Sequence, residues 1–270
     1  MSPGRLCANI AWTEVIGVDR FRLDGLTAVV TGGSGGIGLA GAIALADAGA
    51  DIALIARNRA KLEAAVRSVQ ATGRKALAIE ADVTDEKSIQ AACAKIMEAF
   101  GKADILFNNA GVTSSKLLID LPVDEWRRIH DVNLMGSYIS VRVFAPGMIE
   151  RRFGRIINMG SILSGRGMAT RTAYCASKAG LANLGAALAF ELGPHGVTVN
   201  TLGSTVVVTD LNRHLIASQP MLYSQVIART ALGRLGDTAD VTGALVFLAS
   251  PAAAFITGQT LYVDGGYTAG

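Results

Sequence analysis

Cysteine and histidine are both scarce in this sequence, with three residues of each. The cysteines are odd in number and far apart, so they indicate neither a disulfide framework nor a metal-binding cluster, and their small number suits a reducing cytoplasm. The histidines show no His-x-x-x-His or carboxylate spacing of the kind that zinc requires. We therefore predict a cytoplasmic protein without a metal site.

Long apolar runs and blocks of charge are also missing. No stretch of about 18 uncharged apolar residues is present, so a membrane-spanning helix is not expected, and the first residues lack the apolar core of a secretory signal. Only 17% of the residues are charged and the net charge is +3. No run of lysine and arginine is long enough to indicate nucleic acid or an anionic membrane. The expected partner is a small molecule.

Apolar residues, by contrast, make up 50% of the 270 residues, which is enough for a sizeable core. The regular pattern begins with a short apolar run at 27–31, which is typical of a buried parallel strand. A glycine-rich turn over 32–38 follows, then an apolar helix to Ala48 and a second buried strand at 52–56. This order makes a βαβ unit with its glycines at the first turn.

The same alternation continues to the end of the chain. It predicts an α/β fold: a single-domain doubly wound (Rossmann) seven-stranded parallel sheet with helices on both faces, over residues 23–270. Further strands are predicted at 76–79, 104–107, 155–159, 197–201 and 260–263, and helices at about 58–72, 85–100, 122–151, 174–192 and 239–249.

Three stretches depart from this regularity. Residues 1–22 have no clear period, and we predict an extension that lies on the domain surface or is partly disordered. The long helical region 122–151 is predicted to be interrupted or bent near Pro146. Residues 203–236 are irregular, and segments of that length are usually functional lids or disordered.

The glycine-rich turn is the first candidate binding site. Glycines between a strand and a helix let the backbone approach a pyrophosphate, while the helix N-terminus supplies N–H groups and a positive dipole. The alternative is a merely tight turn, but the strand–loop–helix context favours dinucleotide binding. The residues predicted to contact the cofactor here are Gly32, Ser34, Gly35, Gly36, Ile37 and Gly38.

The end of the second strand indicates which dinucleotide binds. An acidic residue normally holds the ribose of NAD at this place, but the sequence here reads Ala56-Arg57-Asn58. Arg57 can bond to the 2′-phosphate of NADP, although it could equally be a solvated residue at a helix start. We predict NADP in preference to NAD. Asp82, after the third strand, could accept from the adenine amine; alternatively, Asp82 or Thr84 caps the next helix.

A hydroxyl, a phenol and an amine form the candidate catalytic group. Ser161 precedes Tyr174, and Lys178 follows four residues later, on the same face if Tyr174 opens a helix. A nearby ammonium lowers the pKa of a phenol and prepares it for proton transfer. Ser161 can donate to an oxygen that gains charge. The alternative is a tyrosine ring packed under a surface lysine.

Taken together, these motifs resemble the short-chain dehydrogenases/reductases over about residues 23–267. The order and spacing of the set carry the resemblance, since each motif alone is weak. The matching parts are Thr31–Gly38 as Thr-Gly-x-x-x-Gly-x-Gly, Asp82-Val83, Asn108-Asn-Ala-Gly111, Asn133, Ser161, Tyr174-x-x-x-Lys178 and Val263-Asp-Gly-Gly266.

The resemblance implies a role for each matching residue. Tyr174 would be the general acid/base, Lys178 would lower its pKa and bind the nicotinamide ribose, and Ser161 would orient the substrate oxygen. Asn133 would hold a water that links Lys178 to bulk solvent. The family pattern also places Asn58, Val83, Asn109, Ala110, Gly111 and Thr209 against the cofactor.

Two departures from the family pattern bear on the cofactor. The family usually has a Pro-Gly pair after the sixth strand, where this chain has Ser204 and Thr205. We expect these two residues to form a compatible turn through their own side-chain bonds. Many NADP-using relatives also carry a basic residue in the glycine loop, where this chain has Ser34 and Gly35. Arg57 would therefore act largely alone.

The implied activity is interconversion of a secondary alcohol and a ketone by an NAD(P)-dependent enzyme, in a homotetramer or homodimer. The gluconate 5-dehydrogenase group and the 3-oxoacyl-carrier-protein reductases look similar. Two alternatives stay open: an NAD-linked polyol or sugar-acid dehydrogenase, and a non-catalytic dinucleotide-binding regulatory protein. Segments 162–171 and 205–230 are expected to form the substrate walls, and Arg166 and Arg171 could meet a carboxylate or solvent. The apolar residues expected there are Leu163, Met168, Leu211, Leu215, Met221 and Leu222.

Overall fold

The computed structural model describes residues 18–210 and 212–270. Most of the predicted extension over residues 1–22 therefore lies outside the described residues, as do Cys7 and Leu211. The described part of the extension contains a single 3-10 turn, Val18–Phe21.

A seven-stranded parallel sheet forms the centre of the molecule, with the strand order β3-β2-β1-β4-β5-β6-β9. Its strands are short apolar runs because helices cover both faces of the sheet, so that neither face is exposed to solvent. The predicted doubly wound sheet is thereby confirmed. The sheet strands are β1 Thr27–Thr31, β2 Asp51–Ala56, β3 Ala76–Glu80, β4 Ile105–Asn108, β5 Gly154–Met159, β6 Val197–Ser204 and β9 Thr260–Val263.

Two apolar layers fix the helices to the sheet. On one face, Leu45 and Leu245 belong to a buried cluster that continues to Leu62; on the other, Ile96 and Phe144 belong to a second cluster. The helices are α1 Gly36–Asp47, α2 Arg59–Gln70, α3 Glu86–Phe100, α4 Val123–His130, α5 Gly136–Arg151, α6 Thr172–Leu192, α7 Arg213–Ser218, α8 Pro220–Arg229 and α9 Thr238–Ala249. No helix in the described part of the chain is long and apolar enough to cross a membrane.

The strand order reverses at β1, which lies between β2 and β4. At such a switch point, the connections that leave the carboxyl ends of the two central strands diverge to opposite faces and open a crevice. The loops after β1, β4, β5 and β6 all leave the sheet at this edge. The topology therefore brings distant motifs of the sequence to one place.

The long helical region is interrupted at a different position from the predicted one. α5 continues through Pro146 to Arg151, and the break is a π-helical turn at Asp131–Met135. A proline inside a helix removes one main-chain hydrogen bond, which the rest of this long helix tolerates. The π-helical turn carries Asn133, whose side chain bonds to the main chain after β4, and such turns often lie at functional sites.

The segment 203–236 is more regular than predicted. β6 extends to Ser204, a two-residue strand β7 (Val207–Val208) pairs with β8 (Gly236–Asp237), and α7 and α8 lie between them. Neither helix contains a fully buried residue. With six and ten residues, both helices are shorter than the window of about 11–18 residues in which an apolar period can be recognised, which is why the sequence pattern did not reveal them.

Candidate active site

A cleft of about 530 Å³ opens at the carboxyl ends of the central strands. Eleven of the predicted site residues line it, drawn from five separate segments of the chain. They are Gly32, Gly35, Gly36, Ile37, Asn109, Ala110, Gly111, Ser161, Tyr174, Lys178 and Thr209. Arg57 and Asp82 line a second cleft at the end of β2 and β3. Ser34, Gly38, Asn58, Val83 and Asn133 line neither.

The glycine loop is shaped by close approaches that only glycine permits. Gly32 and Gly36 have φ angles of 65° and 55°, which residues with a side chain rarely adopt. A Cβ on Gly38 would lie 2.4 Å from the side-chain nitrogen of Asn109. Asn109 in turn donates to the carbonyls of Thr31 and Gly32, at 3.1 and 3.3 Å. Asn109 therefore ties the loop after β4 to the glycine loop.

The geometry of this loop fits the pyrophosphate of a dinucleotide. α1 begins at Gly36, and its N-cap Gly35 has no side chain to occupy the free N–H groups of the first turn. A Cβ on Gly35 would meet nothing within 4 Å, so the backbone faces open space in the cleft. Exposed N–H groups and the helix dipole together favour a phosphate at this position.

The second cleft, of about 620 Å³, holds the residues predicted to select the cofactor. The guanidinium of Arg57 lies 3.9 Å from the carboxylate of Asp82, and its side chain is 73% exposed. Asp82 also accepts from the amide and the hydroxyl of Thr84, at 2.9 and 2.8 Å. The Thr84 amide is the main group that lowers the pKa of Asp82, with smaller contributions from the Thr84 hydroxyl and Arg57.

Two neighbouring residues have capping roles. Asp85, not Asp82 or Thr84, caps α3 by accepting from Lys87, so that alternative was wrong. Asn58 caps α2 by accepting from the main-chain nitrogen of Lys61 at 2.9 Å. Its side-chain oxygen is thus committed to the helix start, and Arg57 is an exposed donor at the end of β2, next to Arg59, which bonds to Glu63.

Tyr174 and Lys178 lie one turn apart near the start of α6, as the spacing predicted. The Nζ atom of Lys178 is 5.7 Å from the centroid of the Tyr174 ring and donates to the carbonyl of Met159 at 2.5 Å. Lys178 is only 3% exposed, which excludes the alternative of a surface lysine. Burial lowers the pKa of the Lys178 ammonium to about 8.

The pKa of Tyr174 shifts in the opposite direction from the predicted one. Burial raises the pKa of the phenol, and this outweighs the hydroxyl of Ser161 and the charge of Arg171, which both lower it. The prediction failed because the burial of the phenol could not be read from a helical spacing. The structure also adds Arg171 as a charge that acts on Tyr174.

Ser161 is held rigidly at the end of β5. Its hydroxyl accepts from the amide of Leu163 at 3.1 Å, and its own amide donates to the hydroxyl of Ser164 at 3.2 Å. These reciprocal bonds form a capping box over the 3-10 turn Ile162–Ser164. Ser164 was not among the predicted site residues, although the Ser-x-x-Ser spacing of this box was a signal for it.

Asn133 is fully buried beside this group. Its side-chain nitrogen donates to the carbonyl of Val112 and to the hydroxyl of Ser177, at 2.9 and 3.0 Å. Ser177 donates onward to the carbonyl of Tyr174 at 2.8 Å. A Cβ on Gly111 would lie 3.4 Å from the side-chain oxygen of Asn133 and 3.6 Å from the Nζ of Lys178. Ser177, which the sequence did not single out, thus links Asn133 to the catalytic helix.

The Ser204–Thr205 turn keeps an ordinary backbone. Neither residue has a positive φ angle. No hydrogen bond from either side chain is found among the described residues, so the expected side-chain bonds were wrong. The turn is held instead by the β7–β8 pair and by Asn212, which accepts from the amide of Thr209 and donates to the carbonyl of Val207, at 2.8 Å each. Thr209 therefore stays in the cleft without the Pro-Gly pair.

The substrate end of the cleft is only partly as predicted. Leu163, Met168 and Leu215 line it, whereas Met221 and Leu222 do not. Tyr223 and Val226 also line the cleft; they fall within the predicted wall segment 205–230 but were not named individually. Tyr267 lines the cleft from the C-terminal segment, which was not predicted as a wall. Of the two arginines, Arg171 lines the cleft, and Arg166 is exposed and donates to the carbonyl of Thr268.

Comparisons with known proteins identify the family. A family model described as enoyl-(acyl carrier protein) reductase matches residues 32–268. The chain is 39% identical over 246 residues to an L-rhamnose 1-dehydrogenase (NAD(P)(+)) from Sphingomonas sp. (strain SKA58), covering 90% of this chain and 96% of the relative. It is 40% identical over 244 residues to the 3-oxoacyl-[acyl-carrier-protein] reductase FabG of Vibrio harveyi, covering 90% and 98%.

The solved structures agree. A gluconate 5-dehydrogenase from Burkholderia cenocepacia J2315, in complex with NADP and tartrate, matches with a TM-score of 0.89 and 36% identity, over 93% of this chain and 98% of that one. This chain belongs to the short-chain dehydrogenase/reductase family. As a member of the family, it is an NAD(P)-dependent oxidoreductase that interconverts alcohols and ketones.

Proposed function

We propose that this dehydrogenase/reductase acts mainly as an NADP(H)-linked reductase of a small ketone, with residues 23–270 as the single cofactor-binding and catalytic domain. One observation carries the proposal: Ser161, Tyr174 and Lys178 lie in the same cleft as the glycine loop that fits a pyrophosphate. A bound dinucleotide would thus extend from that loop toward the phenol. When bound, the dinucleotide supplies or takes up a hydride at its nicotinamide.

The side chains of this cleft orient the substrate and transfer the proton. Ser161 orients the substrate oxygen, because its hydroxyl is fixed by the capping box and keeps a proton to donate. Tyr174 delivers the phenolic proton to that oxygen during reduction and removes it during oxidation. Burial raises the pKa of the Tyr174 phenol, while the Ser161 hydroxyl and the charge of Arg171 lower it.

Lys178 returns the proton to Tyr174. Its pKa of about 8 lets the ammonium give up and regain a proton close to neutral pH. Asn133 has both of its side-chain N–H groups engaged, so a water beside Lys178 would bind to a carbonyl oxygen of Asn133 or Gly111. Lys178 also holds the nicotinamide ribose, with Thr209 and the loop after β4 at Asn109–Gly111 on the walls around it.

The NADP preference rests on Arg57. Its guanidinium is exposed at the end of β2 and is 3.9 Å from Asp82, too far for a strong bond. A 2′-phosphate therefore competes with a weak partner only. The second candidate, an NAD-linked polyol or sugar-acid dehydrogenase, is favoured by the same carboxylate, because Asp82 offsets part of the charge that a phosphate needs.

A homotetramer or homodimer in the cytoplasm completes the proposal. Phe255 is fully exposed and Phe190 is 86% exposed in the single chain. Large exposed aromatic residues mark surfaces that another chain can cover. Phe255→Asp should shift the sedimentation coefficient toward a smaller species, whereas Gln90→Asp, at an exposed position on α3, should leave it unchanged.

Replacement of Tyr174 by phenylalanine tests the catalytic assignment. Tyr174→Phe should remove nearly all NADPH-dependent ketone reduction while leaving NADPH binding by fluorescence almost intact, because only the transferable proton is lost. Tyr138→Phe, at an exposed tyrosine on α5, is the matched control. Near-normal turnover by Tyr174→Phe would contradict the mechanism.

A further inference from the structure

The charged side chains that line the cleft are all positive. Two cationic side chains, Arg171 and Lys178, line it, and no aspartate or glutamate among the described residues does so. Lys178 is already committed, because its Nζ donates to Met159 and lies beside Tyr174. Arg171 is therefore the cation whose charge is available to whatever enters the cleft.

Arg171 is held in place by one end of its guanidinium. Its Nη1 atom donates to the hydroxyl of Thr113 at 3.0 Å and to the carbonyl of Ser114 at 2.8 Å. Among residues 18–210 and 212–270, the other two guanidinium nitrogens have no hydrogen-bond partner and no carboxylate lies within 4.0 Å. The group is thus oriented and yet keeps donors for a ligand.

Arg171 lies close to the catalytic tyrosine. Arg171 is the N-cap of α6, three residues before Tyr174, and its charge acts on the Tyr174 phenol. Met168 and Leu163, from the same connection, provide the apolar walls beside it. The glycine loop follows β1, whereas Arg171 lies in the connection after β5, two strands away in the sheet, which favours a place for Arg171 at the substrate end of the cleft.

We infer that Arg171 binds a carboxylate of the substrate, so that the ketones and alcohols used by this enzyme are oxo acids and hydroxy acids. The inference rests on the proposed function, because it names the substrate class of the same cleft. A half-buried cation without a counter-ion is costly, and a carboxylate would offset that cost through charge-assisted, bidentate bonds. Neutral acyl thioesters or neutral sugars would leave the guanidinium unpaired.

Arg166 provides the internal comparison. It lies in the same connection before α6, but it is exposed, donates to Thr268 and does not line the cleft. Substitution of Arg166 therefore removes the same charge from the same segment without altering the substrate end. An effect of general surface charge should appear in variants of both arginines. An effect of ligand binding should appear only in the variant of Arg171.

The experiment compares substrates that differ only in charge. Reduction of levulinate and of its methyl ester is measured with NADPH and with NADH, and oxidation of gluconate and of gluconamide with NADP⁺ and with NAD⁺. The wild-type enzyme should prefer the acid of each pair. Because Arg171 also acts on the Tyr174 phenol, Arg171→Met should change kcat for both members of a pair alike. Beyond that shared change, it should raise KM about tenfold to a hundredfold for the acid only. Arg166→Met should leave both unchanged.

A second measurement does not depend on turnover. Levulinate should raise the Tm of the wild-type protein and of Arg166→Met in the presence of NADP⁺, and should fail to do so for Arg171→Met. An acid-to-neutral ratio of kcat/KM near one that Arg171→Met leaves unchanged would overturn the inference and leave the proposed function standing. If neither partner turns over with either cofactor, the proposed function fails. The Tm shift then decides whether Arg171 binds carboxylates.

Discussion

The side-chain nitrogen of Asn133 donates to the hydroxyl of Ser177 across 3.0 Å, and both residues are completely buried. This bond joins the π-helical turn at Asp131–Met135 to the helix that carries Tyr174 and Lys178. It also explains why the irregular turn lies there. A regular helix would place Asn133 at a different angle to Val112 and Ser177, and the buried amide would lose its partners.

Removing this bond should weaken the fold and the site together. Ser177→Ala leaves a buried N–H group of Asn133 without an acceptor, which costs about 1–3 kcal/mol of unfolding free energy. We also expect a lower kcat with a nearly unchanged KM, since the start of α6 loses its hydrogen bond to Asn133. Urea unfolding and steady-state kinetics measure the two effects. Ser68→Ala, at an exposed hydroxyl on α2 that bonds to its own helix, should change neither.

The burial of Lys178 predicts a specific dependence of stability on pH. Its folded pKa of about 8 lies below the unfolded value of 10.5. The unfolded chain therefore binds more protons, and the cost of burying the ammonium is fully present below pH 8. It declines as the pH rises from about 8 to 10.5, by a total on the order of 3 kcal/mol.

Lys178→Met isolates this contribution. The variant cannot titrate at this position, so the unfolding free energy of the wild type minus that of Lys178→Met should rise between pH 8 and pH 10.5 and stay level below pH 8. Other titrating groups cancel in the difference. Denaturant unfolding at pH 7, 9 and 10.5 measures it. A difference that does not change with pH would mean that Lys178 is solvated in solution.

The close approach at Gly38 predicts a steric effect on cofactor binding. In Gly38→Ala the added Cβ would lie 2.4 Å from both the side-chain nitrogen of Asn109 and the carbonyl oxygen of Gly32. The glycine loop must shift, which we expect to cost about 1–3 kcal/mol of stability and to abolish NADPH binding in a fluorescence titration.

A glycine in α9 provides the matched control for this change. A Cβ on Gly243 would meet nothing within 4 Å, and its φ angle is ordinary. Gly243→Ala should therefore stabilise the protein by about 0.5–1 kcal/mol, as expected for alanine in place of glycine within a helix, and leave NADPH affinity unchanged. Tight NADPH binding by Gly38→Ala would show that the glycine loop does not approach the pyrophosphate.

Much of the fold could be predicted because each buried parallel strand can be recognised from a short run of neighbouring residues. The run Thr27–Thr31 and the glycines after it specify a strand, a turn and a helix without reference to the rest of the chain. The Tyr174–Lys178 pair likewise follows from the helical period alone. The order of the strands in the sheet was not predicted, because it depends on which strands pair, and the structure shows it to be β3-β2-β1-β4-β5-β6-β9.

The features that could not be predicted depend on tertiary contacts. The π-helical turn exists because Asn133 bonds to Val112 and Ser177, which are distant in sequence. The raised pKa of Tyr174 reflects the burial of its ring, which no spacing reports. α7 and α8 were missed because, with six and ten residues, they are too short for an apolar period to be recognised.

The cofactor preference can be decided at Arg57. Arg57→Ala should weaken NADPH binding at least tenfold and leave NADH binding unchanged, because only the 2′-phosphate loses a charge-assisted bond. Fluorescence titration with each dinucleotide measures both affinities. Arg67→Ala, at an arginine on the last turn of α2, is the control for net charge.

Asp82 provides the complementary variant. Asp82→Asn removes the carboxylate 3.9 Å from Arg57 and should strengthen NADPH binding relative to NADH, since the guanidinium then has no competing anion. If Arg57→Ala instead leaves the ratio of the two affinities unchanged, the phosphate is read elsewhere and the NADP preference is wrong. If the wild type binds NADH more tightly than NADPH, Asp82 outweighs Arg57, and the physiological reaction is to be sought among NAD-linked oxidations of hydroxy compounds.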